Sequence, residues 1–86
     1  MMFNAFVFLN CDIGAERTVI NQMNTIPGIS EAFRVSGIYD IVAKLSDESK
    51  EKMSLLVKEI RAIANIRSSL TMIVASENTS KQVEAL

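Results

Sequence analysis

Apolar residues recur along the chain first with the period of a strand and then with that of a helix. Residues 3–10 are rich in aromatic and β-branched side chains, which favours a strand. The following segment, residues 15–26, has apolar side chains at helical spacing: Val19, Ile20, Met23 and Ile26. Pro27-Gly28 ends that predicted helix. The first third of the chain therefore predicts a strand followed by a helix.

Two more strands are predicted on either side of a short turn. Residues 29–35 alternate between two sets of side chains with period two, and residues 38–45 form a second apolar run. Ser36-Gly37 between them is expected to form a tight turn, because Gly tolerates a positive φ. A connection this short cannot cross over between parallel strands, so the pair should be an antiparallel hairpin.

The second half of the chain predicts another helix and another strand. Ser46 is the expected N-cap, with Asp47 and Glu48 in the first turn, where the helix dipole favours acidic side chains. Asn65 is expected to end this helix in the left-handed conformation, and residues 66–74 form the last predicted strand. The helix carries one apolar stripe: Met53, Leu56, Val57, Ile60, Ile63 and Ala64.

An internal repeat joins these elements into one architecture. Residues 20–35 resemble residues 57–72 at an offset of 37, with helix ends and strand starts in register. Two such units in the order βαββαβ predict an α+β, ferredoxin-like sandwich, a four-stranded antiparallel sheet with two helices on one face. We expect residues 1–75 to form this domain. Residues 76–86 are expected to be a polar C-terminal tail or a short helix that uses Val83 and Leu86.

The repeat also predicts which side chains face the helices. That set is Phe6, Phe8, Ile29, Phe33, Val35, Tyr39, Ile41, Ala43, Leu45, Ile66, Leu70 and Met72. The opposite face would then have an apolar centre, made of Phe3, Ala5, Val7, Leu9, Val42 and Ile73. Its predicted polar rim is Arg34, Asp40, Lys44, Arg67, Ser69 and Thr71. Because this face of an isolated domain should meet water, an apolar centre within a polar rim predicts a dimer that pairs through the sheet.

Composition supports a partner surface and disfavours several classes of function. Of the 86 residues, 49% are hydrophobic, more than one core of this size can hide, so we expect contact with another copy. The formal net charge is -1 and the nine Lys and Arg residues are scattered, which argues against direct nucleic-acid binding. No apolar run reaches the roughly 18 residues of a membrane span, and no signal peptide is recognisable. The expected compartment is the cytoplasm.

Asp40 is the one acidic residue in an otherwise strand-like run. From the residues alone it has two interpretations: an ion pair, with Arg34 across the hairpin or with Lys44, or a ligand contact. The chain has no His and one Cys, and its acids form no evident pair, so neither an enzyme nor a metal or cofactor site is expected.

Three elements resemble the effector-binding (RAM) domain of the Lrp/AsnC family, regulators of amino acid metabolism. Residues 26–29, Ile-Pro-Gly-Ile, resemble the family's turn after the first helix. Residues 36–40, Ser-Gly-Ile-Tyr-Asp, resemble its T-G-x-Y/F-D element, with Ser in place of Thr. Residues 66–74 resemble its final strand, V-x-x-T-x-T-x-I-V. The resemblance covers roughly residues 3–75, and nothing precedes the first predicted strand except Met1 and Met2, so we expect a stand-alone module without the family's helix-turn-helix domain.

The resemblance implies a mechanism. Lrp/AsnC domains dimerise through their sheets, often assemble into rings such as octamers, and bind amino acid effectors near the strand 2–strand 3 turn. Asp40 would accept the ligand ammonium group, and backbone N–H groups near Ser36-Gly37 would hold its carboxylate. A ligand between dimers would favour the assembled state. The implied ligand-binding residues are Ser36, Gly37, Tyr39, Asp40, Ser69 and Thr71, with a core position as the alternative for Tyr39.

Other interpretations stay open. Small ferredoxin-like dimers also include monooxygenases and isomerases. The ACT domain, a regulatory module of metabolic enzymes, shares the fold, and Gly14 lies near the place of its ligand-loop glycine. A third interpretation is a structural partner that co-assembles with full-length regulators and binds no small molecule.

Overall fold

A four-stranded antiparallel sheet with two helices on one face forms the domain. The computed structural model describes residues 2–74 and the backbone of residues 83–85. The long strands lie in the order β2-β3-β1-β4, which confirms the ferredoxin-like βαββαβ fold, and a short fifth strand pairs with β4. The elements are β1 (Phe3–Cys11), α1 (Glu16–Met23), β2 (Ile29–Arg34), β3 (Ile41–Asp47), α2 (Lys50–Arg61), β4 (Ile66–Val74) and β5 (Val83–Ala85).

The core lies between the helices and one face of the sheet, here called the helix face. Each helix buries part of the apolar stripe predicted for it, whereas Ile20, Ile26 and Ile63 are only partly buried and Ala64 is exposed. The helices contribute Val19, Met23, Met53, Leu56, Val57 and Ile60 to the core. The sheet contributes Ala5, Val7, Leu9, Cys11, Ile41, Ala43, Leu45, Thr71 and Ile73.

The predicted assignment of side chains to the two faces is therefore wrong at many positions. The helix face carries Ala5, Val7, Leu9, Thr71 and Ile73, which were expected on the other side, and Phe3 also packs against the core. Arg34 and Ser69 share this side, because they lie opposite Ile41 and Leu9. The prediction is right for Ile29, Ile41, Ala43, Leu45 and Ile66, and for Val42 and Lys44 on the other face.

Two β-bulges explain much of this error. In β2, Ile29 lies opposite Leu45 and Glu31 lies opposite Lys44, so Ser30 is an extra residue. In β4, positions 66 and 68 lie opposite the neighbouring positions 11 and 10, so Arg67 is extra. An extra residue reverses the alternation of side chains beyond it. Position 67 lies 37 residues after position 30, so the bulge belongs to the internal repeat and aligning the two copies cannot reveal it.

The second sheet face, here called the open face, is nevertheless apolar at its centre. Phe8 on β1 lies between Val42 on β3 and Leu70 on β4. Phe33 lies opposite Val42 and is 49% exposed. The apolar side chains of the open face are Phe6, Phe8, Phe33, Val42, Leu70 and Met72, a different set from the one predicted. The polar side chains around them are Asn4, Asn10, Glu31, Lys44, Ser46 and Ser68.

Helix α2 begins later than the sequence predicts. Strand β3 continues to Asp47, so Ser46 lies in the sheet and the expected N-cap there is wrong. Ser49 is the N-cap, and its Oγ accepts a hydrogen bond from the Lys52 N–H at 3.0 Å. Helix α2 ends at Arg61 with Ala62 as its C-cap, so the predicted helix end at Asn65 is wrong. Asn65 does adopt the predicted left-handed conformation, with φ 77°, in the turn before β4.

The C-terminal segment has one described element. Residues 83–85 form β5, antiparallel to β4, and not the short helix considered for this segment. Pairing with the edge of β4 gives hydrogen-bond partners to the backbone N–H and C=O groups of residues 83–85. A helix of only three residues would leave these groups without partners. Residues 75–82 and 86, and the side chains expected to form an amphipathic face there, lie outside the described residues, so the boundary at residue 75 stays a prediction. No helix within residues 2–74 is long and apolar enough to cross a membrane.

Candidate ligand-binding site

Asp40 lies immediately before β3, next to the place where β1 ends. Its backbone N–H donates to the Leu9 carbonyl at 2.9 Å, and its own carbonyl accepts from the Val35 N–H at 2.9 Å. Its carboxylate Oδ2 accepts a hydrogen bond from the Cys11 N–H at 3.0 Å. Asp40 is therefore fixed to strand β1 by both its backbone and its side chain.

This arrangement replaces the ion pair considered for Asp40. Within residues 2–74 no Lys or Arg nitrogen lies within 4.0 Å of its carboxylate, so neither Arg34 nor Lys44 is its partner. The structure pairs the carboxylate with a backbone donor at the end of β1. A carboxylate that accepts one hydrogen bond still has an oxygen available to a cationic ligand.

A cleft of about 480 Å³ opens beside Asp40, here called the Asp40 cleft. Its lining is Asn10, Cys11, Ile13, Ile38, Asp40, Arg67 and Ser68. A second cleft of about 370 Å³, here called the arginine cleft, is lined by Arg61, Ile66, Arg67, Ser68 and Ser69. Arg67 and Ser68 belong to both linings, so the two clefts are neighbours that share one border.

The Asp40 cleft is lined by both polar and apolar residues. The Asn10 amide donates to the Ser68 Oγ at 3.1 Å, linking β1 to β4. Ile13 and Ile38 are 97% and 88% exposed, which is unusual for a side chain of this kind. Arg67 supplies a positive charge and Asp40 a negative one, so the cleft contains groups of both charges.

Arg67 makes only a weak contact with another charged group. Its Nε lies 3.9 Å from the Asp12 carboxylate, and both side chains are largely exposed. Exposed pairs of this kind contribute at most about 1 kcal/mol, so the guanidinium can exchange Asp12 for a ligand at little cost.

Cys11 contributes its backbone to the site and keeps its thiol in the core. Its side chain is buried. Burial, and then the nearby carboxylate of Asp40, raise the pKa of the Cys11 thiol above its usual range. The thiol is therefore a poor nucleophile and acts as an apolar core group.

The structure separates the site residues that the sequence grouped. Asp40 lines the Asp40 cleft and Ser69 lines the arginine cleft. Ser36 and Gly37 lie in the exposed loop before Asp40 and line neither cleft. Thr71 is 3% exposed on the helix face, opposite Val7, so it lies in the core and lines neither cleft.

Tyr39 belongs to neither the core nor the lining of the clefts. Its ring packs against Phe8 with 5.5 Å between centroids, and it is half-buried. Because Phe8 is on the open face, the predicted place of Tyr39 on the helix side is wrong.

Several residues that line the Asp40 cleft are not predicted from the sequence, notably Asn10, Ile13 and Ser68. The signal that finds them is topological: β1 lies between β3 and β4, so its last residues meet the first residues of both neighbours. Within residues 2–74 no three His, Cys, Asp or Glu side chains are grouped so that they could hold a metal ion.

The sequence and the fold of this chain are similar to those of a known protein family. Residues 4–83 match the family described as the Lrp/AsnC ligand binding domain. A hypothetical protein of Pyrococcus horikoshii has the same fold, with a TM-score of 0.81 and 28% identity, covering 88% of this chain and 93% of that one. A transcriptional regulator of Neisseria meningitidis, solved as a complex with L-Met, shares the fold with a TM-score of 0.74 and 13% identity, over 92% of this chain and 53% of that one.

One group of curated relatives consists of longer enzymes. The homocitrate synthase of Sulfurisphaera tokodaii is 28% identical over 71 residues, which is 81% of this chain and 15% of the enzyme. This chain therefore spans about one-seventh of the length of that relative. The match over residues 4–83 covers nearly the whole sequence, and the chain belongs to the Lrp/AsnC ligand-binding domain family.

Proposed function

We propose that this chain is a cytoplasmic sensor module that binds an amino acid at the Asp40 cleft and regulates transcription or metabolism through ligand-dependent assembly. The observation that carries the proposal is the position of Asp40 in an open cleft, fixed by the Cys11 N–H. The family's description as a ligand-binding domain supports the same class of function.

The chemistry of the cleft fits a zwitterion. The ammonium group of an amino acid requires an acceptor, and the Asp40 carboxylate has the required sign. Its carboxylate requires donors, and Arg67 and Ser68 border the same cleft. Backbone N–H groups of Ser36 and Gly37 remain candidate donors, because the next residue, Ile38, lines the cleft. The complex of the N. meningitidis regulator with L-Met supports amino acids as the ligand class.

The open face supports assembly into a homodimer. Its centre is apolar, with Phe8 between Val42 and Leu70, whereas a sheet face exposed to water is normally polar. Pairing two copies through this face would bury Phe33, which is 49% exposed in the monomer. A ring such as an octamer requires a second contact, and the exposed Ile13 and Ile38 beside the cleft are suited to it. A ligand bound there would shift the equilibrium toward the ring, because it binds the assembled state better.

The homocitrate synthase relatives favour a second candidate. In them a segment like this chain accompanies an enzyme many times its length. The second candidate is therefore a regulatory subunit that senses an amino acid and acts on a separate metabolic enzyme. A full-length Lrp/AsnC regulator is the corresponding partner if the target is transcription, and co-assembly without any ligand is the remaining alternative.

A thermal-unfolding panel against the twenty amino acids at millimolar concentration tests the proposal. A ligand present at 100 times its dissociation constant stabilises a protein by about 2.7 kcal/mol, which is several degrees in Tm for a domain this small. We expect a shift with one or a few amino acids. A flat panel would contradict amino acid sensing and favour the ligand-free partner.

A further inference from the structure

We propose that the effector carries a second negative charge, as glutamate and aspartate do, and that Arg61 and Arg67 hold that group in the arginine cleft. This inference rests on the proposed amino acid site and specifies its ligand. It starts from the two neighbouring clefts, one with a carboxylate and one with two guanidinium groups.

The arginine cleft is suited to an anion. Arg61 is the last residue of α2 and Arg67 is the bulge residue of β4, so two separate elements each contribute an arginine to one cleft. Ser68 and Ser69 also belong to this lining. Guanidinium groups bind carboxylates with two parallel hydrogen bonds, which makes this donor set selective for oxyanions.

Both arginines are available to a ligand. Within residues 2–74 no carboxylate lies within 4.0 Å of Arg61. Arg67 has its long, exposed contact with Asp12, which a bound carboxylate can displace. Two cationic side chains at one cleft without a close internal partner repel each other, and an anion relieves that repulsion.

The sheet sets the separation between the acidic and basic groups. Asp40 is bonded to Leu9 on one side of β1, and Ser68 lies opposite Asn10 on the other side. Asp40 and Ser68 are thus about 10 Å apart in backbone position, which is two interstrand spacings. An amino acid with a hydrogen bond at each end fits this span, and a side-chain carboxylate would extend into the arginine cleft.

An apolar effector is the main competitor, because Ile13 and Ile38 also border the Asp40 cleft. In one copy of the chain they are 97% and 88% exposed, so they favour an apolar ligand only if a second copy covers them. Side chains this exposed leave an apolar ligand in contact with water, so little apolar surface would be buried.

Calorimetric titration of the full chain with L-glutamate and L-glutamine tests the inference, because the two ligands differ in charge and hardly in shape. We expect glutamate to bind about 10- to 100-fold more tightly than glutamine, the usual effect of a charge-assisted hydrogen bond. The Arg61→Gln variant should lose most of this preference and keep its affinity for glutamine. Lys58→Gln, which removes a cation from the same helix outside both clefts, should keep the preference.

Three results would overturn the inference, and they differ in whether the proposed sensor function also fails. If another amino acid binds and Arg61→Gln changes nothing, the effector has no second charge and the sensor proposal stands. If glutarate or inorganic phosphate binds as tightly as glutamate and Asp40→Asn has no effect, the arginine cleft is an oxyanion site unrelated to amino acids. If no amino acid binds at all, both this inference and the proposed function fail.

Discussion

The Cys11 N–H donates a hydrogen bond to the Oδ2 atom of Asp40 at 3.0 Å, joining the end of β1 to the residue before β3. The last residue of β1 that pairs with β3 is Leu9. The Asp40 side chain therefore supplies the acceptor for a β1 N–H that lies beyond the reach of β3. The carboxylate that we assign to ligand binding is thus also part of the fold. Its substitution must be designed so that the structural and binding effects can be separated.

Two substitutions of Asp40 achieve this separation. Asp40→Ala leaves the Cys11 N–H without its acceptor and should lower the free energy of unfolding by about 1–3 kcal/mol. Asp40→Asn keeps an acceptor oxygen and should cost less than half as much. Urea denaturation of the two variants measures the difference.

Both Asp40 variants should lose the response to the amino acid that stabilises the wild-type chain, because neither retains the negative charge. Calorimetry with that amino acid is the check. An Asp40→Asn variant that binds as the wild type does would show that Asp40 is only structural.

The sequence was sufficient for the fold, and the bulges limited the assignment of side chains to faces; the ligand role of Asp40 stays a prediction. Order, topology and helix stripes follow from periodicity, the repeat and a connection too short for a crossover. That connection spans residues 35–40, so it is longer than the tight turn predicted at Ser36-Gly37. The extra residues Ser30 and Arg67 cannot be seen in a periodic pattern, since each is polar and fits either face. Because of these two extra residues, Phe33 and Leu70 were predicted on the helix face, whereas they lie on the open face.

The remaining site residues depend on strand order as well as on composition. Asn10 and Ser68 meet because β1 lies between β3 and β4 and because the β4 bulge sets their register. Thr71 matched a family pattern of hydroxyl residues, but its position opposite Val7 places it in the core. The motif identified a hydroxyl residue at this position, and only the strand register shows to which face of the sheet its side chain points.

The open face should be the dimer interface. Phe8→Glu places a charge at its centre, between Val42 and Leu70, and should convert the wild-type dimer to a monomer. Leu55→Glu is the matched control, because Leu55 is 60% exposed on α2, away from the sheet. Sedimentation velocity at micromolar concentration gives the masses, and circular dichroism confirms that each variant is folded. A wild-type monomer, or a Phe8→Glu dimer, would contradict pairing through the open face.

Gly28 should be the less replaceable of two glycines with similar backbone conformations. Gly14 and Gly28 have φ of +87° and +98°, so Ala costs about 1–2 kcal/mol of backbone strain at either position. A Cβ at Gly28 would also lie 2.6 Å from Cδ1 of Leu56, whereas nothing lies within 4 Å at Gly14. Gly28→Ala should therefore lower the free energy of unfolding by about 1–3 kcal/mol more than Gly14→Ala does.

A double-mutant cycle tests the cause of that difference. In a Leu56→Ala background the extra cost at Gly28 should disappear, since the clashing methyl group is gone. Equal costs for Gly14→Ala and Gly28→Ala in the wild-type background would show that Leu56 moves aside without penalty.

Cys11 should make stability fall with pH in the alkaline range. Its pKa is raised in the folded state by burial and by Asp40, so the unfolded chain releases the thiol proton at lower pH than the folded chain does. The contribution is complete below the ordinary thiol pKa and is lost as pH rises, starting from about pH 8.5. Urea unfolding from pH 7.5 to pH 9.5 should give a steeper decline for the wild type than for Cys11→Ala. Parallel declines would mean that the thiol titrates normally.

The measurement that tests the central claim most directly is sedimentation velocity of the wild type and of Asp40→Asn, with and without the amino acid that raises Tm most. Our account predicts that the amino acid increases the mass of the wild-type assembly beyond a dimer and leaves Asp40→Asn unchanged. If the wild-type mass is the same with and without every amino acid at millimolar concentration, then ligand binding at Asp40 does not control assembly.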